Sequence, residues 1–264
     1  MSRAGGEGIR LADLSAGYGG NDIVRDVTLA ATASRVTTIV GPNGAGKSTL
    51  IKAVAGLLRP SKGKLFIGEK DITALAPAQR AAAGLGYVPQ EHNVFKALSI
   101  DENLRIGFEF IRRRGGAAEL RDARERVLTI FPDLGGRLNQ IAGTLSGGQR
   151  QMLALASTLM PSPTALILDE PSAGLSPRYV RSMLDAVRAV NRAGVTVLMI
   201  EQNVTEALRI SDDVVLLVRG QVRGAWPAGT FLDDPDVRSL FFHGRSDHDS
   251  QASGKERHHD ASAA

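Results

Sequence analysis

The sequence predicts an α/β fold with a mixed, largely parallel sheet, and three observations support this prediction. A β-branched strand at Arg35–Val40 leads into a glycine-rich loop and then into the helical spacing of Ser48–Leu58. Strand-like and helix-like segments continue to alternate in the second half of the chain, which favours a parallel sheet covered on both faces. The segment Ile9–Ile39 has short apolar runs punctuated by glycines, which predicts an N-terminal antiparallel β part.

The later elements follow from the same patterns. Residues of about 91–160 are rich in Arg and Leu, and we expect them to form an α-helical subdomain inserted into the α/β core. We predict one domain over residues 1–243 and a disordered tail over residues 244–264, which lack an apolar period. The other predicted strands and helices are Leu85–Val88, Ala165–Leu168, Pro177–Asn191, Val195–Ile200, Val204–Ile210, Val214–Val218 and Val222–Trp226.

Composition restricts the possible classes of function. The chain has 264 residues, of which 43% are hydrophobic, as is ordinary for a globular protein. The net charge of +4 suits an anionic ligand and gives no indication of nucleic acid. The absence of cysteine excludes disulfides and thiolate catalysis. Without a secretory signal or an apolar membrane span, we expect a cytoplasmic protein whose membrane role depends on partner chains.

The glycine-rich loop matches the phosphate-binding motif in its required context, after a strand and before a helix. Backbone N–H groups and the helix N-terminus would surround the phosphates of ATP. Lys47 would reach the β- and γ-phosphates, and Ser48 would ligate Mg²⁺. These flanks favour a P-loop NTPase core over a simple glycine-rich turn. The predicted loop is Gly41, Pro42, Asn43, Gly44, Ala45, Gly46, Lys47, Ser48 and Thr49.

Two acidic residues, Asp169 and Glu170, follow the apolar strand Ala165–Leu168. Open α/β sheets bind ligands at the carboxyl ends of their strands. Asp169 would hold Mg²⁺, and Glu170 would orient and polarise the attacking water. Such a pair is also typical of a helix start, but its occurrence with a phosphate loop favours the catalytic interpretation.

A third motif, Leu145–Gln149, lies between the phosphate loop and Asp169, directly before an apolar-spaced helix. Alone, its Ser-Gly-Gly sequence is also typical of a flexible turn at a helix start. In this order, the pentapeptide resembles the signature of the ATP-binding-cassette (ABC) ATPases. The resemblance implies that a nest formed by Ser146, Gly147, Gly148 and Gln149 binds the γ-phosphate held by an opposite subunit.

The resemblance also implies partners. A second ABC ATPase subunit, identical or homologous, would complete the nucleotide sites. Transmembrane permease subunits would place a short helix against Glu91 to about Leu104, and a periplasmic or extracellular solute-binding protein would act through the permeases. The chain would then lie at the cytoplasmic face of the membrane.

Four more positions match or depart from the family pattern. Tyr18 matches the aromatic residue that stacks on adenine, although it could simply pack a turn. Gln90 matches the glutamine that contacts Mg²⁺, although it could be an exposed amide at a strand end. Gln202 stands where the family usually has a catalytic histidine, and Ser176 stands where an interface aspartate is usual. Since a glutamine amide can still donate to phosphate, we expect ATPase activity to be retained.

Two segments, Glu170–Pro177 and Glu201–Val204, resemble those of ATPase subunits of branched-chain amino acid importers and of related urea or amide importers. Three alternatives remain. They are a soluble cassette ATPase that works without a membrane, a weakly hydrolysing regulatory module and a small-molecule kinase. Soluble cassette ATPases generally carry two cassettes or long heptad inserts, whereas this chain has one phosphate loop and no sustained heptad.

Overall fold

The computed structural model describes residues 7–91, 93–111 and 116–242. They belong to two compact units, one ending at Ala228 and the other beginning at Gly229. The predicted disordered tail, residues 244–264, lies outside the described residues. The single domain over residues 1–243 stays a prediction.

The described part of the first unit alternates strands and helices after an initial hairpin. The segment Ala142–Thr144 is a 3-10 helix. In chain order the elements are β1 (Ile9–Tyr18), β2 (Asn21–Ala31), β3 (Val36–Val40), α1 (Lys47–Ala55), β4 (Lys62–Ile67), β5 (Lys70–Asp71), α2 (Pro77–Ala82), β6 (Leu85–Val88), α3 (Ile100–Glu109), α4 (Ala117–Ile130), α5 (Pro132–Gly135), α6 (Gly147–Leu159), β7 (Ala165–Asp169), α7 (Pro177–Arg192), β8 (Thr196–Ile200), α8 (Val204–Leu208), β9 (Asp213–Val218) and β10 (Gln221–Pro227).

An antiparallel sheet contains the N-terminal strands in the order β2-β1-β4-β5. Buried and exposed positions alternate over Ile9–Leu11 of β1 and Val27–Ala31 of β2, as expected for a sheet with one face on the core. The predicted N-terminal antiparallel part is therefore confirmed.

The central sheet has the strand order β10-β9-β3-β8-β7-β6. The pairs from β9 to β6 are parallel, and only β10 is antiparallel to its neighbour, so the predicted mixed, largely parallel sheet is confirmed. Parallel strands end at the same edge. The loops that follow β3, β8, β7 and β6 therefore meet there, and these loops carry the phosphate motif, Gln202, the acidic pair and Gln90.

Two hydrophobic clusters cover the faces of the central sheet. In β7, Leu166 and Leu168 belong to the cluster that includes α3, α6 and α7. Ala165 and Ile167 point to the opposite cluster, which includes α1 and the antiparallel sheet. All five residues of β7 are buried, which explains why the first four, Ala165–Leu168, are apolar.

The predicted helical insertion contains α3, α4, α5 and α6. Helix α3 begins with a capping box, in which Ser99 accepts a hydrogen bond from the Glu102 N–H and donates its own N–H to the Glu102 carboxylate. The apolar sides of these helices contribute Leu104, Val127 and Leu153 to one cluster. This insertion lies between β6 and β7 in the chain, so it connects Gln90 to the acidic pair.

The second unit begins within a 3-10 helix, Ala228–Asp233, which is followed by helix α9, Pro235–Phe242. The Asp234 carboxylate accepts hydrogen bonds from the backbone N–H groups of Asp236 and Val237 at the start of α9. None of the helices in the described ranges is both long enough and apolar enough to cross a membrane.

Candidate functional site

The phosphate loop connects the end of β3 to the start of α1, as the sequence predicts. Gly46 is the N-cap residue of α1, and no side chain caps this end of the helix. The first turn contains no acidic residue. Its N–H groups and the positive end of the helix dipole are thus suited to an anion.

Lys47 is the first residue of α1, and 5% of its surface is exposed. Its ammonium group donates hydrogen bonds to the Gly41 and Pro42 carbonyls over 2.8 and 3.1 Å, so it lies inside the loop. Burial lowers the pKa of Lys47, and the negative charges of Glu170 and Asp169 oppose that shift. The neighbouring Ser48 is exposed. The loop thus presents one cation and one hydroxyl.

Asp169 is the last residue of β7, and it is buried, with 5% of its surface exposed. Its Oδ1 atom has no hydrogen-bond partner among the described residues. Burial, and after it the charge of Glu170, raises the pKa of Asp169. The cations Lys52 and Lys47 act in the opposite direction. A carboxylate that ligates a cation needs an oxygen that no other group uses. The Oδ1 atom of Asp169, buried beside the phosphate loop, meets this condition among the described residues.

Glu170 follows directly and adopts a left-handed conformation with φ of 48°. Only 6% of its surface is exposed. Its Oε2 atom accepts a hydrogen bond from Gln202 Nε2 over 2.8 Å and a longer one from Gln90 Nε2 over 3.4 Å. Three residues predicted separately, from the ends of β6, β7 and β8, therefore meet at one carboxylate.

The signature segment lies at the start of α6. Ser146 is the N-cap residue, and its Oγ accepts the Gln149 N–H over 3.3 Å. The Gln149 Oε1 in turn accepts the Ser146 N–H over 3.0 Å, which completes a capping box. Gln149 thus fixes the turn whose residues Ser146 and Gly147 are exposed. Among the described residues, no hydrogen bond or ion pair joins this turn to the phosphate loop.

Tyr18 ends strand β1 and pairs with Asn21 across the hairpin to β2. Half of its surface, 50%, is exposed. In β2, Val24 and Ile23 lie against Gly46, where an added Cβ would be 2.8 and 3.4 Å from their side chains. The hairpin therefore flanks the phosphate loop. Stacking of Tyr18 on adenine stays a prediction.

Comparison with known proteins identifies the family of this chain. A family model described as ABC transporter matches residues 24–173, more than half of the chain. This chain belongs to the ABC transporter family. The predicted family, the fold class and the ATPase activity of this cassette are confirmed by that match together with the relatives described next.

Two relatives of this ABC cassette extend along almost all of it. The probable branched-chain amino acid transport ATP-binding protein LivF of Archaeoglobus fulgidus is 40% identical over 88% of this chain and 97% of its own. The high-affinity branched-chain amino acid transport ATP-binding protein BraG of Pseudomonas aeruginosa is 33% identical over 86% of this chain and 96% of its own. The cassette is therefore similar to transport subunits along its length.

Solved structures of ABC cassettes share the fold. The ADP conformation of MJ1267, an ATP-binding cassette of an ABC transporter, has a TM-score of 0.79 and 27% identity, covering 89% of this chain and 98% of its own. The dimeric structure of MJ0796, a bacterial ABC transporter cassette, has a TM-score of 0.73 at 24% identity, covering 83% of this chain and 98% of its own.

The ABC cassette also contains a buried acid whose contacts sequence reasoning missed. Glu201 directly precedes Gln202, and 2% of its surface is exposed. Its carboxylate accepts both the N–H and the hydroxyl of Ser172, over 3.0 and 2.7 Å. The available signal was an acid directly after a buried apolar strand, the same pattern that identified Asp169 and Glu170.

A second feature that sequence reasoning missed is the turn between β9 and β10, which is hydrogen-bonded to the phosphate loop. The Gly220 N–H donates to the Ala45 carbonyl over 2.8 Å, and the Gly220 carbonyl accepts the Arg25 N–H over 2.9 Å. The turn therefore links the phosphate loop to β2. These residues are far apart in the chain, so no local pattern could indicate the contact.

Proposed function

We propose that this chain is the ATPase subunit of an importer for branched-chain amino acids, or for a related amide such as urea, whose membrane-spanning permeases are separate chains. The main support is the similarity to LivF and BraG, which covers 97% and 96% of their own lengths. Gln202 and Ser176 also support this assignment. Both depart from the common family pattern, and the resemblance implies these same departures for the importer subgroup.

We infer that Lys47 binds the β- and γ-phosphates of ATP from within the loop, and that Glu170 polarises the attacking water. The 2.8 Å hydrogen bond from Gln202 supports this role, because it holds the Glu170 carboxylate in one position. A glutamine amide has two N–H donors. Gln202 can therefore hold Glu170 with one N–H and donate to the γ-phosphate with the other.

Three side chains, Asp169, Ser48 and Gln90, would hold Mg²⁺ beside the nucleotide. The unpartnered Oδ1 of Asp169 supports this assignment, since a cation would satisfy an oxygen that no described residue satisfies. When bound, the ion would neutralise charge that develops on the transferred phosphoryl group.

We propose that two such subunits, identical or homologous, form a head-to-tail dimer around ATP. The exposed N-terminal turn of α6, Ser146 and Gly147, would bind the γ-phosphate held by the partner's phosphate loop. Support comes from the capping box, which orients this turn without occupying the Ser146 hydroxyl as a donor. Hydrolysis would remove the shared phosphate and allow the subunits to separate.

A groove of about 800 Å³ between α2, β6, α3 and α6 suits a permease. Phe95 and Phe110 line it and are 58% and 60% exposed, which is unusual for phenylalanine. A short amphipathic helix from a permease would cover these rings. The expected contact segment, Glu91–Leu104, contributes Phe95 to the groove. The solute-binding protein would contact the permeases only, and this chain would lie at the cytoplasmic membrane face.

Uptake measurements test the importer assignment. The gene is deleted from its host, and uptake of labelled leucine, isoleucine, valine and urea is measured at low external concentration. We expect uptake of at least one of these solutes to fall, to return with the wild-type chain and to stay low with Glu170→Gln. Glu125→Gln, an exposed glutamate on α4, is the matched control and should restore uptake. Unchanged uptake of all four solutes in the deletion strain would refute the assignment.

A further inference from the structure

Two consecutive residues at the end of β8 contact the segment that follows β7. Glu201 accepts both hydrogen-bond donors of Ser172, the N–H over 3.0 Å and the hydroxyl over 2.7 Å. The next residue, Gln202, donates to the carboxylate of Glu170 over 2.8 Å. The end of β8 therefore holds this segment at two points, one at Glu170 itself and one two residues later.

The held segment has a conformation that needs support. Glu170 has φ of 48°, a left-handed conformation that is unfavourable for a residue with a Cβ. Such conformations persist where the surroundings fix them. Two backbone hydrogen bonds contribute, from the Glu170 N–H to the Ile200 carbonyl and from the Ala173 N–H to the Glu170 carbonyl, both over 3.1 Å. Ser172 lies between Glu170 and Ala173, and its side chain has Glu201 as its hydrogen-bond partner among the described residues.

Glu201 is an unusual residue to place in this position. Burial raises its pKa to about 7, with the charge of Glu170 acting in the same direction, and the two bonds from Ser172 oppose the shift. Ser172 places one donor on each oxygen of the carboxylate. A glutamine would have an NH2 donor in place of one of these oxygens and an apolar residue would have no acceptor, so the carboxylate is matched to the paired donors.

We propose that Glu201 is a positioning residue for ATP hydrolysis, acting through Ser172 to hold the backbone that orients the Glu170 carboxylate. Glu201 contacts neither the phosphate loop nor the Asp169 side chain through any hydrogen bond among the described residues. Its effect would therefore fall on the chemical step and leave nucleotide binding unchanged. The inference rests on the ATPase activity and is independent of the transported solute.

A residue that only stabilises the fold would behave differently. Its loss would lower the unfolding midpoint and leave the turnover of the folded fraction unchanged. A positioning residue would lower kcat while KM for ATP stays the same, because the interaction it supports is made in the transition state. The ratio of these two effects separates the two roles.

The test uses the full-length chain as wild type, Glu201→Gln, Ser172→Ala, the double variant and Glu125→Gln as the control. Steady-state phosphate release gives kcat and KM for ATP, and circular dichroism confirms folding. We expect Glu201→Gln to lower kcat roughly 10- to 100-fold with KM within about twofold, since small misplacements of catalytic groups have effects of this size. Ser172→Ala should lower kcat less, and the double variant should be no slower than Glu201→Gln, because both changes remove one interaction.

Two results would overturn the proposal. The first is a folded Glu201→Gln variant whose kcat stays within about twofold of wild type. The second is a double variant whose losses multiply, since independent effects would mean that Glu201 does not act through Ser172. If Glu201→Gln does not fold, Ser172→Ala decides. A lowered kcat at constant KM supports the proposal, and an unchanged kcat overturns it.

Discussion

Gly148, the fourth residue of the signature motif Leu145–Gln149, packs against the ring of Tyr179 in α7. A Cβ atom added to Gly148 would lie 2.6 Å from Cδ1 and Cγ of that ring and 2.9 Å from its Cβ. The Cβ of Tyr179 is fixed to the backbone of α7, so rotation of the side chain cannot relieve the contact. Close packing of α6 on α7 therefore requires glycine at this position.

We expect Gly148→Ala to lower the free energy of unfolding by about 1–3 kcal/mol, the usual cost of overpacking. Gly147→Ala is the matched control, because an added Cβ there meets nothing within 4 Å. The control should change stability by less than about 1 kcal/mol. Urea unfolding of the two full-length variants measures the difference, and equal effects would contradict the packing argument.

Glu201 provides a second expectation at the residue scale, concerning stability and pH. Burial raises its pKa from 4.5 to about 7, so the folded state binds a proton that the unfolded state releases above pH 4.5. The contribution of this bound proton to the free energy of unfolding is fully present below pH 4.5 and is lost as the pH rises through about 7. At roughly 1.4 kcal/mol for each unit of pKa, the loss approaches about 3 kcal/mol.

Glu201→Gln should therefore remove a decline in the free energy of unfolding between pH 5 and pH 8, a window set by the two pKa values of 4.5 and about 7. Denaturant unfolding at several pH values measures the wild type and the variant. Glu125→Gln, which changes an exposed acid, should follow the wild-type curve. Parallel curves for the wild type and Glu201→Gln would show that the acid does not titrate in this window.

At the scale of elements, helix α1 depends on a buried arginine. Arg80 lies in α2, is 2% exposed and donates to the Ala53 and Val54 carbonyls at the C-terminal end of α1. It also donates to the Leu75 and Thr73 carbonyls. Cationic donors suit carbonyls at a helix C-terminus. The guanidinium therefore joins α1, which carries the phosphate loop, to the segment before β6.

We expect Arg80→Lys to destabilise the cassette by about 2–4 kcal/mol, because a single ammonium group cannot replace a planar fork bonded to four carbonyls. Burial lowers the pKa of Arg80, and a lysine there would also lose charge more readily. Thermal unfolding measures the effect. The control is Arg105→Lys on α3, where the arginine is exposed and pairs with Glu109 on the same helix. A similar small effect for both variants would argue against the role of Arg80.

The sequence was informative about elements whose signal is local. The strands β3, β7 and β8 consist largely of apolar and β-branched residues, and each is followed by a distinctive loop, so their common edge could be predicted as the ligand site. The helix predicted over Ser48–Leu58 ends earlier, at Ala55, because Gly56 adopts φ of 82° and caps it. The sequence pattern does not predict strand β4, Lys62–Ile67, because its first residues are polar and its pairing with β1 stabilises it.

Local sequence patterns could not predict the contacts between segments that are distant in the chain. Neither the Arg80 side chain below α1 nor the Gly220 turn beside Ala45 has a sequence signal, because each depends on how the layers pack. The residues of the candidate site were easier to predict from the sequence. Lys47, Asp169 and Glu170 follow from chemistry and spacing, whereas the meeting of Gln90 and Gln202 at Glu170 required the strand order of the central sheet.

At the scale of the whole molecule, the predicted nucleotide contacts lie on two separate surfaces. The phosphate loop and the acids lie at the edge of the central sheet, while Ser146 lies at the start of α6 in the helical part. Among the described residues, no hydrogen bond connects them. In the proposed head-to-tail dimer, each of the two subunits would contribute one of these surfaces to a shared ATP.

Mixing two inactive variants tests this arrangement. In Lys47→Ala both sites of a dimer lack the phosphate-binding lysine, and in Ser146→Arg both lack the anion nest, so each variant alone should be inactive. A mixed dimer contains one site built from the intact loop of the Ser146→Arg subunit and the intact nest of the Lys47→Ala subunit. We expect ATPase activity to return on mixing and to reach at most about a quarter of the wild-type value, since about half of the dimers are mixed and each has one intact site. If activity stayed absent at every mixing ratio while the subunits exchanged, each subunit would have to complete its own site, because the intact surfaces of the mixed dimer lie on different chains.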